Sequence, residues 1–324
     1  MLSTIVDVAR IRGDGNSLGY DWLITSKGSD DRSYTLFELY SSDINFSDII
    51  VFDSRKRNET LTAPEVEKYN RIEQILEDNN YPSATILSAE DSHFGSLLVD
   101  KSITPVSRVA IDISAMNFWE LSDLIYYFLK IVQVNSLDVF YTEPDIYRYD
   151  NYDLTSYSHK SSSVSYNYPI NYHSTKTSQS EEIFVALLGF QKHVLKLMGD
   201  LCQFQGVYSI NGFPSYYPKA KDISLVNNWD YLSDVEEAHR FSAEANNPFV
   251  CFNSLQEIRE LSNDAFMTVC PLSSKPMTLG ACLFTIKYPN KTRLVYPYNE
   301  FVDTKASGVG RTFCYHIDHS YIKP

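Results

Sequence analysis

Val109-Ala-Ile-Asp-Ile113 and Leu137-Asp-Val-Phe-Tyr141, with Asn117 to Val132 between them, decide how this chain folds. Both short runs are apolar, rich in β-branched and aromatic residues, and bounded by turn residues. The segment that joins them reads as a helix. Strand, helix, strand of this kind is a βαβ unit, and units in series build a parallel sheet covered by helices.

Working outward, the first half offers further strand-like runs at Leu36-Phe-Glu-Leu-Tyr40, Ile49-Ile-Val-Phe52 and Ala84-Thr-Ile-Leu87. Pro64 to Asn79 places Val66, Tyr69, Ile72, Ile75 and Leu76 at helical spacing. The second half repeats the plan. Strands are expected at Ile183–Leu188, Gly206–Ile210, Phe249–Phe252, Phe266–Cys270 and Arg293–Tyr296. Helices are expected at Gln191–Phe204, Asp234–Asn246, Leu255–Leu261 and Met277–Ile286. Short, fully apolar strands fit a sheet buried on both faces. Between the halves, Tyr147 to Ser180 holds Tyr, Asn, Thr and Ser with few aliphatic residues and no period. The reading is an α/β fold: two tandem Rossmann-like halves with mainly parallel sheets flanked by helices. Residues 1–150 and 181–324 form the halves, and 151–180 are a linker or surface excursion. Val109–Tyr141 and Thr268–Tyr296 share a strand ending on Ser, a helix and an aromatic-ended strand. A duplication and the general βαβ rules both account for that likeness.

Composition narrows the function classes. The chain has 324 residues, 44% of them hydrophobic and 14% aromatic, enough for two cores. Its formal charge is −13, from 41 acidic and 28 basic side chains, so a broad grip on nucleic acid or an anionic membrane is not expected. A small basic pocket for one phosphorylated ligand remains compatible with that charge. The 24 tyrosines suit half-buried strands and interfaces. Cys202, Cys251, Cys270, Cys282 and Cys314 are scattered without CxxC spacing, which reads as reduced and cytoplasmic. Neither a signal peptide nor a membrane span is expected.

In open parallel sheets ligands bind beyond the carboxyl ends of the strands, where helix N-termini present free N–H groups. The residues expected there are Ser114, Lys192, Asn211, Ser273, Ser274 and Lys275, small polar or basic groups suited to an anion. Ser273-Ser-Lys-Pro-Met-Thr-Leu-Gly280 is the most pointed motif. A serine caps the helix, Pro276 fits its first turn, and Lys275 stands beside the N-terminus. Capping alone accounts for every residue in it except Lys275. Asn117-Phe-Trp-Glu120 has the form of a capping box. Arg55-Lys56-Arg57 is the densest basic cluster and reads as a solvated loop. Gly13 to Gly19 lacks dinucleotide-loop spacing. His316 and His319 would face opposite sides of a strand, and no metal is expected. Asp53, Asp112 and Glu143 lie in or after strands, where a pair could do acid–base work.

The segment from Ser273 to Gly280, after the strand Met267–Cys270, resembles the ligand loop of CARF domains and the related SAVED domains. Their Lys-x-Met element is matched by Lys275 and Met277, while Ser273 and Ser274 stand where the family has glycines. The resemblance implies a turn and helix N-terminus that hold the phosphates of a cyclic oligonucleotide. It further implies a sensory or accessory part in prokaryotic antiviral defence.

Two readings follow. One is a non-enzymatic module binding a nucleotide-like or other phosphorylated ligand, with no cofactor. The other is a structural subunit that docks on protein partners or on copies of itself through a tyrosine-rich, acidic surface. A hydrolase or glycosidase acting on nucleotides through Asp53 and Glu143 ranks third.

Overall fold

The computed structural model of the chain describes residues 3–8, 18–54, 62–79, 81, 84–88, 93–147, 165–176, 181–191, 194–200, 204–298 and 306–323. The fold is α/β and divides into two compact units, residues 1–148 with 306–323, and residues 149–305. In chain order the strands are β1 Ser3–Asp7, β2 Leu18–Ser26, β3 Ile44–Asp53, β4 Ala84–Ser88, β5 Val109–Asp112, β6 Ser136–Thr142, β7 Ile146–Tyr147 and β8 Ser165–Asn167. There follow β9 Glu182–Leu187, β10 Gly206–Gly212, β11 Arg240–Ala243, β12 Phe266–Pro271, β13 Thr292–Leu294, β14 Tyr296–Tyr298, β15 Ala306–Ser307 and β16 Thr312–Asp318. The α-helices are α1 Thr35–Leu39, α2 Ala63–Asp78, α3 Phe118–Tyr126, α4 Val194–Asp200, α5 Ala220–Asn227, α6 Trp229–Leu232, α7 Pro248–Leu261 and α8 Lys275–Lys287.

The first unit's main sheet has the order β1-β16-β6-β5-β2-β3-β4. Strands β2 to β6 run parallel, while β16 is antiparallel to both β6 and β1. The second unit's main sheet is β11-β10-β9-β12-β13, parallel throughout. Numbered by their place in the chain, the parallel strands of both units read 3-2-1-4-5. This is the doubly wound, Rossmann-like order. In each, the order reverses between the first and fourth strands, at β2/β5 and at β9/β12. All four residues of β5 and all six of β9 and β12 are buried, Asp112, Glu182 and Thr268 among them, as the middle of a sheet covered on both faces requires.

Helix starts follow local chemistry. Glu65 accepts from the Thr62 N–H ahead of α2, closing half of a capping box (2.7 Å). Asn117 accepts from the N–H groups of Trp119 and Glu120 at the start of α3, and Glu120 reaches back to the Asn117 N–H. Asn247 caps α7 and Pro248 opens it. Helix α3 continues as a π-helix, Tyr127–Val132, and stops at Gln133 in the left-handed region. Against the α1 and α2 side of the first sheet pack Leu36, Phe37, Tyr40, Ile72, Ile75 and Leu76. Against the α4 and α6 side of the second pack Val194, Leu195, Met198, Tyr231 and Leu232.

Several elements differ from the sequence reading. Leu36–Tyr40 and Phe249–Phe252, expected as strands, lie in helices α1 and α7. Asp234–Asn246, expected as a helix, holds a 3-10 turn at Glu237–His239 and the edge strand β11. Strands β1, β2 and β16 had no counterpart in that reading. Residues 165–167, placed in a linker, pair as β8 with β14 inside the second unit. The chain's last strand, placed in the second half, pairs with β6 of the first unit. No helix among the described residues is long and apolar enough to cross a membrane.

Candidate functional site

The carboxyl edge of each parallel sheet, at the point where strand order reverses, is where this fold leaves room for a ligand. In the first unit that place is filled by the protein's own groups. Ser26 Oγ, at the end of β2, donates to Glu120 Oε1 (2.9 Å) at the start of α3. The other oxygen of Glu120 takes the Asn117 N–H (2.7 Å), and the side chain is buried. A carboxylate thus already occupies the helix N-terminus, where the dipole favours negative charge. Beside it Lys27, also buried, pairs with Asp53 (3.3 Å) and with Glu73, while Tyr69 donates to Asp53.

Ser114 belongs to this filled edge. Its Oγ accepts the Thr142 N–H (2.9 Å), tying the end of β5 to the end of β6, and its own N–H donates to Asp112 (2.9 Å). Asp53 and Glu143 end β3 and follow β6, three strand spacings apart, or about 14 Å at ~4.8 Å per step. That exceeds the ~5–9.5 Å span of a cooperating carboxylate pair. Glu143 is buried and paired with Arg311 (3.3 Å). Among the described residues no three His, Cys, Asp or Glu side chains are grouped to hold a metal.

The second unit's edge is built differently. Helix α8 has no acidic residue in its first turn and begins with the half-buried Lys275. Ser274 is spent on structure: its Oγ accepts the Met277 N–H (3.3 Å) and donates to the Ala245 carbonyl. Ser273 is not tied in that way. Its hydroxyl points at Met277 Sδ (3.0 Å), a weak acceptor. A Cβ added at Gly212, the end of β10, would stand 3.7 Å from Ser273 Oγ, so this serine lies over that strand end.

The loop after β9 approaches from the other side. A Cβ at Gly189 would overlap the Leu272 carbonyl oxygen, so the loops leaving β9 and β12 meet in a contact that only glycine allows. Side chains of α5 and the turn into α6 grip this loop. Ser224 Oγ (3.1 Å) and Asn228 Nδ2 (2.8 Å) donate to the Gly189 carbonyl, and Asn227 Nδ2 donates to that of Phe190 (2.7 Å). Several amide atoms on this side are buried without a partner: Asn227 Oδ1, Gln191 Oε1, and both Oδ1 and Nδ2 of Asn211. Asn211 is 5% exposed. Side chains alternate along β10, so Asn211 faces opposite to Gly212, toward the α4 and α6 side of the sheet.

Of the residues singled out from the sequence, the second unit thus gathers Asn211, Ser273, Ser274 and Lys275 on one sheet edge, and Ser114 sits on the first unit's edge. Lys192 and the Arg55–Arg57 cluster lie outside the described residues. Sequence reasoning passed over Gln191, Asn227 and the Ser26–Glu120 bond. Amides carry no periodic signal, and the partner of Ser26 is distant in the chain.

No family model and no curated protein matches the chain. Among solved structures it is similar to a functionally unknown protein from Pseudomonas aeruginosa PAO1. The identity is 9% over 86% of this chain and 92% of that one, with a TM-score of 0.25.

Proposed function

We propose that the second unit binds a small phosphorylated ligand, nucleotide-like in size and charge, and does not turn it over. The contrast between the two sheet edges carries this reading. At β2/β5 the helix N-terminus is neutralised by buried Glu120, whereas at β9/β12 the first turn of α8 carries Lys275 and no acidic residue of its own. The dipole of that helix start favours an anion, and a lysine in the first turn adds positive charge beside it. The buried amide atoms of Asn211, Gln191 and Asn227, on the other face of the same sheet edge, are a second mark of an incomplete site. The likeness of Lys275 and Met277 to the CARF and SAVED turn extends the candidate ligands to cyclic oligonucleotides. It would make the chain a sensor or accessory subunit in prokaryotic antiviral defence.

A thermal-shift screen against inorganic phosphate, sugar phosphates, mono- and dinucleotides and cyclic oligonucleotides tests the proposal. A specific binder at a hundredfold excess over its dissociation constant adds about 2.7 kcal/mol of stability. The expected result is a shift that Lys275→Ala abolishes while leaving the unliganded Tm nearly unchanged. Full affinity retained by Lys275→Ala would remove this residue from the site, and no shift across the panel would end the reading.

A second reading, docking on a protein partner, is favoured by exposed apolar side chains on the second unit. Val226, near the end of α5, is 53% exposed, and Trp229, which opens α6, is 63% exposed. Sedimentation of the purified chain at increasing concentration, repeated on Trp229→Ser, reports whether that surface joins copies of it.

A further inference from the structure

The polar interior behind the second unit's sheet edge is unevenly stocked. Of the four unpartnered amide atoms, three are acceptors (Asn211 Oδ1, Gln191 Oε1 and Asn227 Oδ1) and one is the donor Asn211 Nδ2. Burying such groups unpaired is costly, and native proteins do it rarely. Exchanging the oxygen and nitrogen of Asn211 changes nothing in this count, because both lack partners. Asn227 and Gln191 sit on the same loop system as Asn211. Asn227 holds the Phe190 carbonyl, Gln191 Oε1 lies against the Gly189 backbone, and the Leu188 N–H donates to the Ile210 carbonyl immediately before Asn211. Charged side chains are absent from this set, so its complement is a neutral edge with more donors than acceptors.

We infer that this amide cluster reads the base of the ligand, and that the base is guanine. The inference rests on the reading that a phosphorylated ligand binds at the start of α8. Guanine presents N1–H and the exocyclic N2–H2 beside the O6 acceptor, a donor-rich edge that matches three amide oxygens and one amide nitrogen. Adenine offers a single exocyclic donor group, and a sugar phosphate offers no base edge at all. With the phosphate at Lys275 and Ser273 on one face of the sheet and the base at Asn211 on the other, the ligand would cross the carboxyl edge of β12, β9 and β10 above the Gly189–Leu272 contact.

Titration calorimetry of the intact chain with GMP, AMP, ribose 5-phosphate, inorganic phosphate and free guanosine tests this, on the natural sequence and on Asn211→Leu. GMP is expected to bind about tenfold or more tighter than ribose 5-phosphate, and tighter than AMP. Asn211→Leu is expected to erase that advantage, to leave ribose 5-phosphate binding in place, and to keep or raise the unliganded Tm. A lower Tm for Asn211→Leu would show the amide satisfied in the resting protein, by buried water for instance, and would overturn the inference. Equal binding of GMP and ribose 5-phosphate, or preference for AMP, would overturn it while the phosphate site stands. Should no phosphate compound bind, guanosine decides. Binding that is lost in Asn211→Leu supports the amide cluster alone, and no binding overturns it.

Discussion

His316 and Asp138 face each other across β16 and β6 as register partners, with Nδ1 2.6 Å from a carboxylate oxygen. The second oxygen of Asp138 takes the Tyr20 hydroxyl (2.6 Å), and that hydroxyl, buried in the sheet, is pushed well above its ordinary pKa by desolvation. The hydrogen bond to Asp138 raises the pKa of the half-exposed His316 above 6.5. The protonated imidazole therefore stabilises the fold. Its contribution is complete below pH 6.5 and is lost as pH rises through the higher folded-state value. His316→Gln should then lower Tm most in mildly acidic buffer, with the deficit shrinking toward alkaline pH, as melting curves across pH 5–9 would reveal. A deficit independent of pH would mean that His316 acts by packing alone. An NMR titration offers a second check, since Asp138→Asn should bring the imidazole back toward its ordinary pKa. Nothing local in the chain hints at this pair. His316 stood out there only beside His319, whereas its partner lies on a strand 178 positions away.

Helices α7 and α8 approach each other so closely that Gly280 has no room for a side chain: a Cβ there would overlap the Pro248 carbonyl and stand 3.0 Å from Cys251 Cβ. Replacing a mid-helix glycine by alanine favours the helix by about 1 kcal/mol. Forcing a methyl into a packed contact costs about 1–3 kcal/mol. Backbone stands in the way, so the second effect wins. Gly280→Ala should unfold at lower denaturant with an unchanged slope, and a more stable variant would contradict the packing described. Elements of this kind were legible where the chain carries its own punctuation. The Asn117–Glu120 box and the Ser274-Lys275-Pro276 start located α3 and α8 from sequence. Asn247-Pro248 is an equally good start for α7, yet the apolar run Phe249-Val-Cys-Phe252 reads as strand when taken by itself. A short apolar run cannot be told from a buried helical turn by periodicity, and only its flanks decide. Strand β11 escaped for the opposite reason: an edge strand with exposed Arg240 and Ser242 lacks an apolar run. The candidate site divides similarly. Its helix start could be read from capping rules, whereas the unpaired amides emerge only when burial is known.

At the scale of the whole chain, the second unit is an insertion in the first. The chain leaves the first unit after β7 and returns at β15, and these two strands pair antiparallel, Tyr147 opposite Ala306. Sequence reading finds the βαβ runs of both units, but it cannot see that a final strand goes home to the first sheet. Nothing local in Thr312–Asp318 names β6 as its partner. The pairing has an energetic consequence. Phe313, Tyr315 and Ile317 of β16 are all buried, and burial of side chains this size contributes about 1.5–3 kcal/mol each. Their sum is comparable with the ~5–15 kcal/mol stability of a typical domain. Removing 306–324 should therefore unfold the first unit or leave it aggregating through the bared edge of β6. Excising 149–305 and joining 148 to 306 through a short Gly-Ser linker should not, because β7 and β15 already hold those ends together. Circular dichroism melts of the two variants separate the cases. The linked variant is expected to melt cooperatively, and the truncated one to show no cooperative transition for the first unit. A truncated chain that kept the full transition would mean that β16 is a dispensable addition to a five-stranded parallel core.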